Sequence, residues 1–317
     1  MSDLFPLPAA LQRVEYAQLY FHLEVSDYFD LPPLGLLQLR RELLQALRQL
    51  RETSEVVVAA QLDSLLQPDF PVDPVLRRIV QKPSPALVLS PDPADYGLIE
   101  PKQRLVLPVM FLGAGLQGIA AFRQLLVTLG QQGLYAGTGQ FCLEGIEAAD
   151  NSGLRAMLWV SGEPEAELTP PINDLYWWLQ RRTVYSEQLR LEVQTPLRLL
   201  RQNRPLFKAD FSELFPFILR RVTAMLASHC GVELVADPVG LITQATQVEV
   251  VSNQLRWQDW RRLDAAGGGQ DLGGLLGSLE LRGPALADLQ WLLQIGSLLN
   301  IGKGAAYGAG RYRLQNP

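Results

Sequence analysis

The chain has 317 residues, 48% hydrophobic and 19% charged, enough to bury the cores of two domains of ordinary size. Its 28 Lys and Arg stand against 33 Asp and Glu, and the net charge of −5 excludes a protein that coats nucleic acid through bulk positive charge. With two cysteines, Cys142 and Cys230, and two histidines, the chain has no disulfide framework and no ligand set for structural zinc, so no metal and no cofactor is expected.

The first residues, MSDLFPLPAALQRVEY, lack the basic-then-apolar order of a secretory signal, and no later apolar run reaches the roughly 18 residues that span a bilayer, so a cytoplasmic protein is expected. Residues 15–25, EYAQLYFHLEV, alternate: Leu19, Phe21, Leu23 and Val25 on one face, Tyr16, Gln18, Tyr20, His22 and Glu24 on the other, a strand with one buried face. After a turn at Asp30 to Pro33, leucines at helical spacing predict a helix over 35–51. Short strands are expected near 55–62, 86–89 and 103–111, then a helix over 116–132, then glycines running into a strand in GLYAGTGQFCLEGIEA. The segment NDLYWWLQRRTVYSEQ at 173–188 joins the two halves; its Tyr176, Trp177 and Trp178 predict a packed connection and not a tether.

The second half repeats the order. A strand is predicted over 189–197 and a helix over 210–229, capped by Asp210 or Ser212, with Pro216 tolerated only near its first turn, so that the helix is kinked or starts there. Strands follow at 246–251 and 275–282, a helix at 284–299 and a last strand at 310–315. Each half thus runs strand, helix, strands, helix, glycine turn, strand, which is the split β-α-β order: an α+β chain of two tandem ferredoxin-like (RRM-like) domains, 1–180 and 181–317. Gly137-Thr138-Gly139-Gln140-Phe141 and Gly308-Ala309-Gly310-Arg311-Tyr312 share Gly-x-Gly-x-aromatic at the same place in each half.

Basic residues gather in the second half: Arg198, Arg201, Arg204 and Lys208; Arg220 and Arg221; Arg256, Arg261 and Arg262 beside Trp257 and Trp260; Lys303, Arg311 and Arg313. Such clusters are either solvated faces or a nucleic-acid surface. In RWQDWRR at 256–262 the arginines either grip phosphates while a tryptophan stacks on a base, or flank core tryptophans; alternation leaves at least one tryptophan exposed or at an interface. The run NIGKGAAYGAGRYRL at 300–314 is not a dinucleotide fingerprint, because it follows a helix and opens a strand, the reverse of the order that aims a helix N-terminus at pyrophosphate. Nor is it a Walker A loop, since Ala305 stands where the magnesium-binding hydroxyl belongs. What it offers is a glycine-lined backbone, Gly302, Gly304, Gly308 and Gly310, that a phosphodiester can approach, with Lys303 and Arg311 beside it. The same glycines also serve a helix cap and a tight turn, and the two roles are compatible.

The stretch LLQIGSLLNIGKGAAYGAGRYRL at 292–314 closely resembles the C-terminal glycine-rich signature of the CRISPR repeat-processing endoribonucleases of the RAMP superfamily. TPLRLLRQNRPL at 195–206, LGGLLGSLELRG at 272–283, LPPLGLLQLRREL at 31–43 and LVLPVMFLGAG at 105–115 also look like that family, so the resemblance spans most of the chain. It implies two ferredoxin-like domains, CRISPR repeat RNA as ligand, and metal-independent cleavage in which a ribose 2′-hydroxyl attacks the adjacent phosphorus to leave a 2′,3′-cyclic phosphate and a 5′-hydroxyl, with the product retained. Such chemistry needs a base, an acid and cations on the nonbridging oxygens, and histidine suits the first two tasks. The family keeps its catalytic histidine at the end of the first strand or in the helix after it. His22 meets the first description, but helix 35–51 holds no histidine and offers Arg40, Arg41 and Arg48 instead. The catalytic candidates are therefore His22, Tyr20 and Arg40, with Tyr28 an alternative to Tyr20. His229, at a helix end, reads as a C-terminal cap, and Cys230 as core. The RNA-binding candidates are Gly302, Lys303, Gly304, Gly308, Gly310, Arg311, Arg201, Arg204, Arg261 and Arg262. The resemblance allows a second reading, a non-cleaving RAMP-type subunit that binds CRISPR RNA within an effector complex with other subunits.

Overall fold

The computed structural model describes residues 7–53, 55–163, 168–182, 186–259 and 273–316. Two compact units make up the chain, one built of Ala10–Trp178 with Met225–Val232, the other mainly of Leu179–Ala224 with Glu233–Pro317.

In the N-terminal unit β1 (Glu15–Val25) buries Leu19, Phe21, Leu23 and Val25 as the alternation predicts, while Tyr16, expected on the polar face, is buried as well. Tyr16 sits at the strand's start, flanked in register by Leu112 on one side and Asn173 on the other, so no edge is left to water there. There follow α1 (Leu39–Thr53), α2 (Val56–Leu66), β2 (Leu87–Leu89), β3 (Arg104–Leu112), α3 (Ile119–Gln132), β4 (Phe141–Ala149) and β5 (Arg155–Val160). Turns of 3-10 helix, Gly35–Gln38 and Gly113–Gly118, precede α1 and α3, which is why both α-helices begin later than the leucine spacing suggests. The strand expected at 55–62 is instead part of α2. Three consecutive valines favour a strand locally, yet Leu62, Leu65 and Leu66 fall on one helical face and are buried, whereas Val56 is 85% exposed. Burial of that face outweighs the propensity of the valines. The sheet runs β2-β3-β1-β4-β5, every neighbour antiparallel. Its core centres on Phe21, Phe111 and Phe122, with Phe122 edge-on to Phe21 at 5.5 Å and to Phe111 at 5.4 Å.

The connection contains Asn173–Asp174, which pairs with the start of β1, and α4 (Leu175–Arg182), where Trp178 and Leu179 are buried, as a packed connection requires. Beyond it come β6 (Gln188–Leu197), α5 (Phe211–Cys230), α6 (Pro238–Ala245), β7 (Glu249–Asn253), β8 (Arg256–Gln258), β9 (Gly274–Arg282), α7 (Ala285–Leu299) and β10 (Tyr312–Gln315). Asp210 is the cap of α5: its carboxylate accepts the Glu213 N–H at 2.9 Å. Pro216 lies inside the helix, which begins at Phe211 and not at the proline. Helix α6 was not expected; its start is written in Asp237-Pro238, where the Asp237 carboxylate accepts the Gly240 N–H at 2.9 Å and proline occupies the first turn. The sheet runs β7-β9-β6-β10, antiparallel, with β8 also paired to β9. The order β2-β3-β1-β4, with β5 added at its edge, and the order β7-β9-β6-β10, with β8 added beside β9, are the ferredoxin-like arrangement twice over. Among the described residues no helix is long and apolar enough to cross a membrane.

Candidate nucleic-acid interface

The glycine run is anchored from below. At the end of α7 the Leu299 carbonyl accepts the buried Arg221 guanidinium at 3.1 Å, and desolvation pulls that group's pKa down to about 10. The Asn300 amide then donates to the Ala305 carbonyl at 3.1 Å. Across the turn the Ile301 N–H donates to Gly310 O at 3.2 Å, and the Gly310 N–H to Pro196 O at 3.0 Å. The buried Thr195 hydroxyl links both strands: it donates to Gly308 O at 2.7 Å and accepts the Arg311 N–H at 2.8 Å. Gly310 has φ +65°, and a Cβ there would lie 1.8 Å from Ile301 O, so this position admits only glycine. Gly308 and Gly310 are buried and hold the turn, whereas Lys303 and Gly304 are exposed and Gly302 half-buried.

The same turn joins two clusters that lie about a hundred residues apart in sequence. The Lys303 N–H donates to Arg198 O at 2.9 Å, and from Arg198 the chain enters a two-stranded hairpin, Leu200–Arg201 with Arg204–Pro205, turned through Gln202 and Asn203 at φ +51° and +62°. Arg201 pairs with Glu213 at 3.5 Å. Among the described residues Lys303, Arg204 and Lys208 carry no ion pair, and all three are exposed. Arg311 is half-buried, and Arg313 is paired with Glu192 at 2.5 Å. Arg261, Arg262 and Trp260 lie outside the described residues; Trp257 is half-buried.

In the N-terminal unit His22 and Tyr20 share one face of β1, as the alternation predicts, and register adds two residues that the local sequence does not announce. Glu147 of β4 stands opposite Tyr20 and places its carboxylate 3.3 Å from His22 Nε2, an ion-pair distance without an aligned hydrogen bond. Arg155 of β5 lays its guanidinium 3.5 Å from the centroid of the Tyr20 ring. Arg40 does not join them. It is exposed at the start of α1, which packs on α3, and α3 meets the opposite face of β1 through Phe122 and Phe21. The guanidinium beside Tyr20 is therefore that of Arg155.

His229 is buried, its Nε2 3.0 Å from Ser84 O. Burial, with Glu15 nearby, pushes the Cys230 thiol up to about 12, so it is not a nucleophile at neutral pH. Among the described residues no group of three or more His, Cys, Asp or Glu could hold a metal ion.

Residues 191–312, which contain the turn and the hairpin, match the family model of the CRISPR-associated endoribonuclease Cas6. No curated protein matches the chain. Among solved structures, a Cas6 product complex shares 17% identity at a TM-score of 0.54, covering 95% of this chain and 99% of that one. A second Cas6 product complex shares 16% at 0.52, over 95% and 100%. A partial Cas6-RT-Cas1–Cas2 complex shares 14% at 0.54, over 96% of this chain and 46% of that one. Residues 191–312 thus carry the pattern of the Cas6 family model, and the chain shares the fold of these Cas6 structures over nearly its whole length.

Proposed function

We propose that the protein binds CRISPR repeat RNA and cleaves it within the repeat without a metal ion, keeping the product bound. The observation that carries this reading is the cationic edge formed by Lys303, Arg201 and Arg204, with Arg311 behind it, inside the segment that matches the family model. Exposed cations there meet phosphates, and the turn presents little side-chain bulk to a phosphodiester. The glycines contribute by shaping that surface: Gly302 and Gly304 where the backbone is approached, Gly308 and Gly310 as its support.

Cleavage forms the 2′-O–P bond and breaks the P–O5′ bond, yielding a 2′,3′-cyclic phosphate and a 5′-hydroxyl. The 2′ proton must leave and O5′ must gain one. His22 is assigned this proton traffic. Glu147 stands 3.3 Å from its Nε2, and Arg155 with Tyr20 supplies positive charge and a hydroxyl on the same face. Arg40, across the sheet from His22, is left out of this step. The test is repeat RNA incubated with the protein in EDTA. A cyclic-phosphate product that disappears in His22→Ala supports the assignment; a product undiminished in that variant overturns it.

The second reading, a non-cleaving RNA-binding subunit that works with other CRISPR proteins, is favoured by the absence of any histidine from α1. Tight repeat binding with no product in the same assay decides for it.

A further inference from the structure

The hairpin that follows Arg198 ends on an aromatic residue which packing does not account for. Phe207 is 58% exposed, although the chain is fixed on both sides of it: the Leu206 N–H donates to Leu199 O at 3.0 Å, and Ala209 is buried ahead of the capping Asp210. The ring packs at a steep angle against Trp257, centroids 4.7 Å apart and planes at 63°. Trp257 is itself held. Its indole N–H donates to the Asp259 carboxylate at 2.7 Å, its strand position is paired with Leu275, and a Cβ on Gly273 would meet its ring at 2.8 Å. Phe207 is thus an apolar ring mounted on a fixed support and turned outward, more than half of it exposed.

Its surroundings are cationic. Arg204 and Lys208 flank it in sequence, exposed and without an ion pair among the described residues, and Arg256 precedes Trp257 on the same short strand. An apolar protein partner would have to desolvate these charges, whereas a polynucleotide offers a flat base for the ring and phosphates for the cations. We infer that Phe207, buttressed by Trp257, is a stacking platform for one unpaired base of the bound RNA. This rests on the RNA-binding reading above and adds to it a contact with single-stranded nucleotides beside the phosphate grip.

The probe is a repeat RNA hairpin with single-stranded flanks, carrying 2-aminopurine at one flank position at a time, titrated with the full chain. One position is expected to be quenched on binding; Phe207→Leu abolishes the quench and Phe207→Tyr keeps it. Affinity for the flanked RNA falls about five- to a hundredfold in Phe207→Leu, the worth of one stacked base, while affinity for the hairpin without flanks is unchanged. An abasic site at the quenched position produces the same loss with the unaltered protein, so the result does not depend on how the variant folds. Wild-type affinity of Phe207→Leu for flanked RNA, or equal loss for flanked and unflanked RNA, overturns the platform and leaves RNA binding standing. Failure of the unaltered protein to prefer repeat RNA over an unrelated hairpin overturns both. An abasic RNA that binds as tightly as the intact one, with affinity for another protein lost in Phe207→Leu, overturns the platform in favour of a protein contact.

Discussion

The two Gly-x-Gly-x-aromatic turns solve the same backbone problem and present opposite surfaces. In the N-terminal turn the Leu134 N–H donates to Gly139 O at 3.1 Å, and a Cβ on Gly139 would lie 2.7 Å from the Phe29 ring. The buried Glu42, held by Arg41 at 2.8 Å, accepts the Ala136 N–H at 3.4 Å. That turn is filled by an acid and an aromatic ring of its own unit. In the C-terminal turn backbone groups, the Thr195 hydroxyl, the Asn300 amide and the Leu197 side chain fill the interior, and the side chain sent outward is Lys303. The aromatic differs too: Phe141 has no polar group, while the Tyr312 hydroxyl donates to Leu293 O at 2.7 Å. The two turns share a backbone fold; the residues around them decide which side chains fill the turn and which are sent outward.

The comparison is broken most severely at Gly310. Gly310→Ala places a methyl against a backbone carbonyl that cannot turn aside, and a loss of about 3 kcal/mol or more is expected in urea unfolding. Gly139→Ala meets a ring that can rotate, and about 1–2 kcal/mol is expected from the left-handed backbone. Equal costs would contradict the difference in packing. Thr195→Val strips the Arg311 N–H and Gly308 O of their shared partner and is expected to cost about 2 kcal/mol. In the N-terminal turn the hydroxyl is local, Thr138 donating to Tyr135 O at 2.7 Å, and it does not tie the turn to a neighbouring strand as Thr195 does.

Alkaline pH separates the turns by their aromatics. Burial holds the Tyr312 phenol well above its usual 10, so between that value and its folded pKa the unfolded state loses a proton that the folded state keeps. Stability is therefore complete below pH 10 and falls as pH rises above it, by up to about 1.4 kcal/mol per unit. Tyr312→Phe lowers stability at neutral pH by the lost hydrogen bond and flattens that alkaline slope relative to the unaltered protein, measured by chemical unfolding from pH 8 upward. The smallest effect on the fold belongs to Lys303→Ala: within about 0.5 kcal/mol of the unaltered protein. It is expected to weaken repeat RNA binding across sequences and to reduce the slope of log affinity against log salt by about 1, read by titration at several salt concentrations.

How much of the site could be read from the chain differs between the two units. The C-terminal candidates were legible because they are contiguous: a glycine run with a lysine, a hairpin with arginines, each within a dozen residues. That Lys303 and Arg198 share a hydrogen bond was not, since nothing local links residues a hundred positions apart. In the N-terminal unit the face carrying Tyr20 and His22 follows from strict alternation, but Glu147 and Arg155 come to it only through the register of β4 and β5, and Arg40 is separated from it by the sheet itself. The valines at 56–58 misled for the converse reason, since a local preference gave way to the burial of three leucines further along.

By itself the sequence determined the order of strands and helices, their duplication and the positions where only glycine fits, because periodicity, caps and left-handed backbone are properties of a few neighbouring residues. Only the tertiary structure decided which side chains fill each turn, which cations stand exposed without an ion pair among the described residues, and what faces His22, because those depend on strand register and on contacts that close loops of many tens of residues.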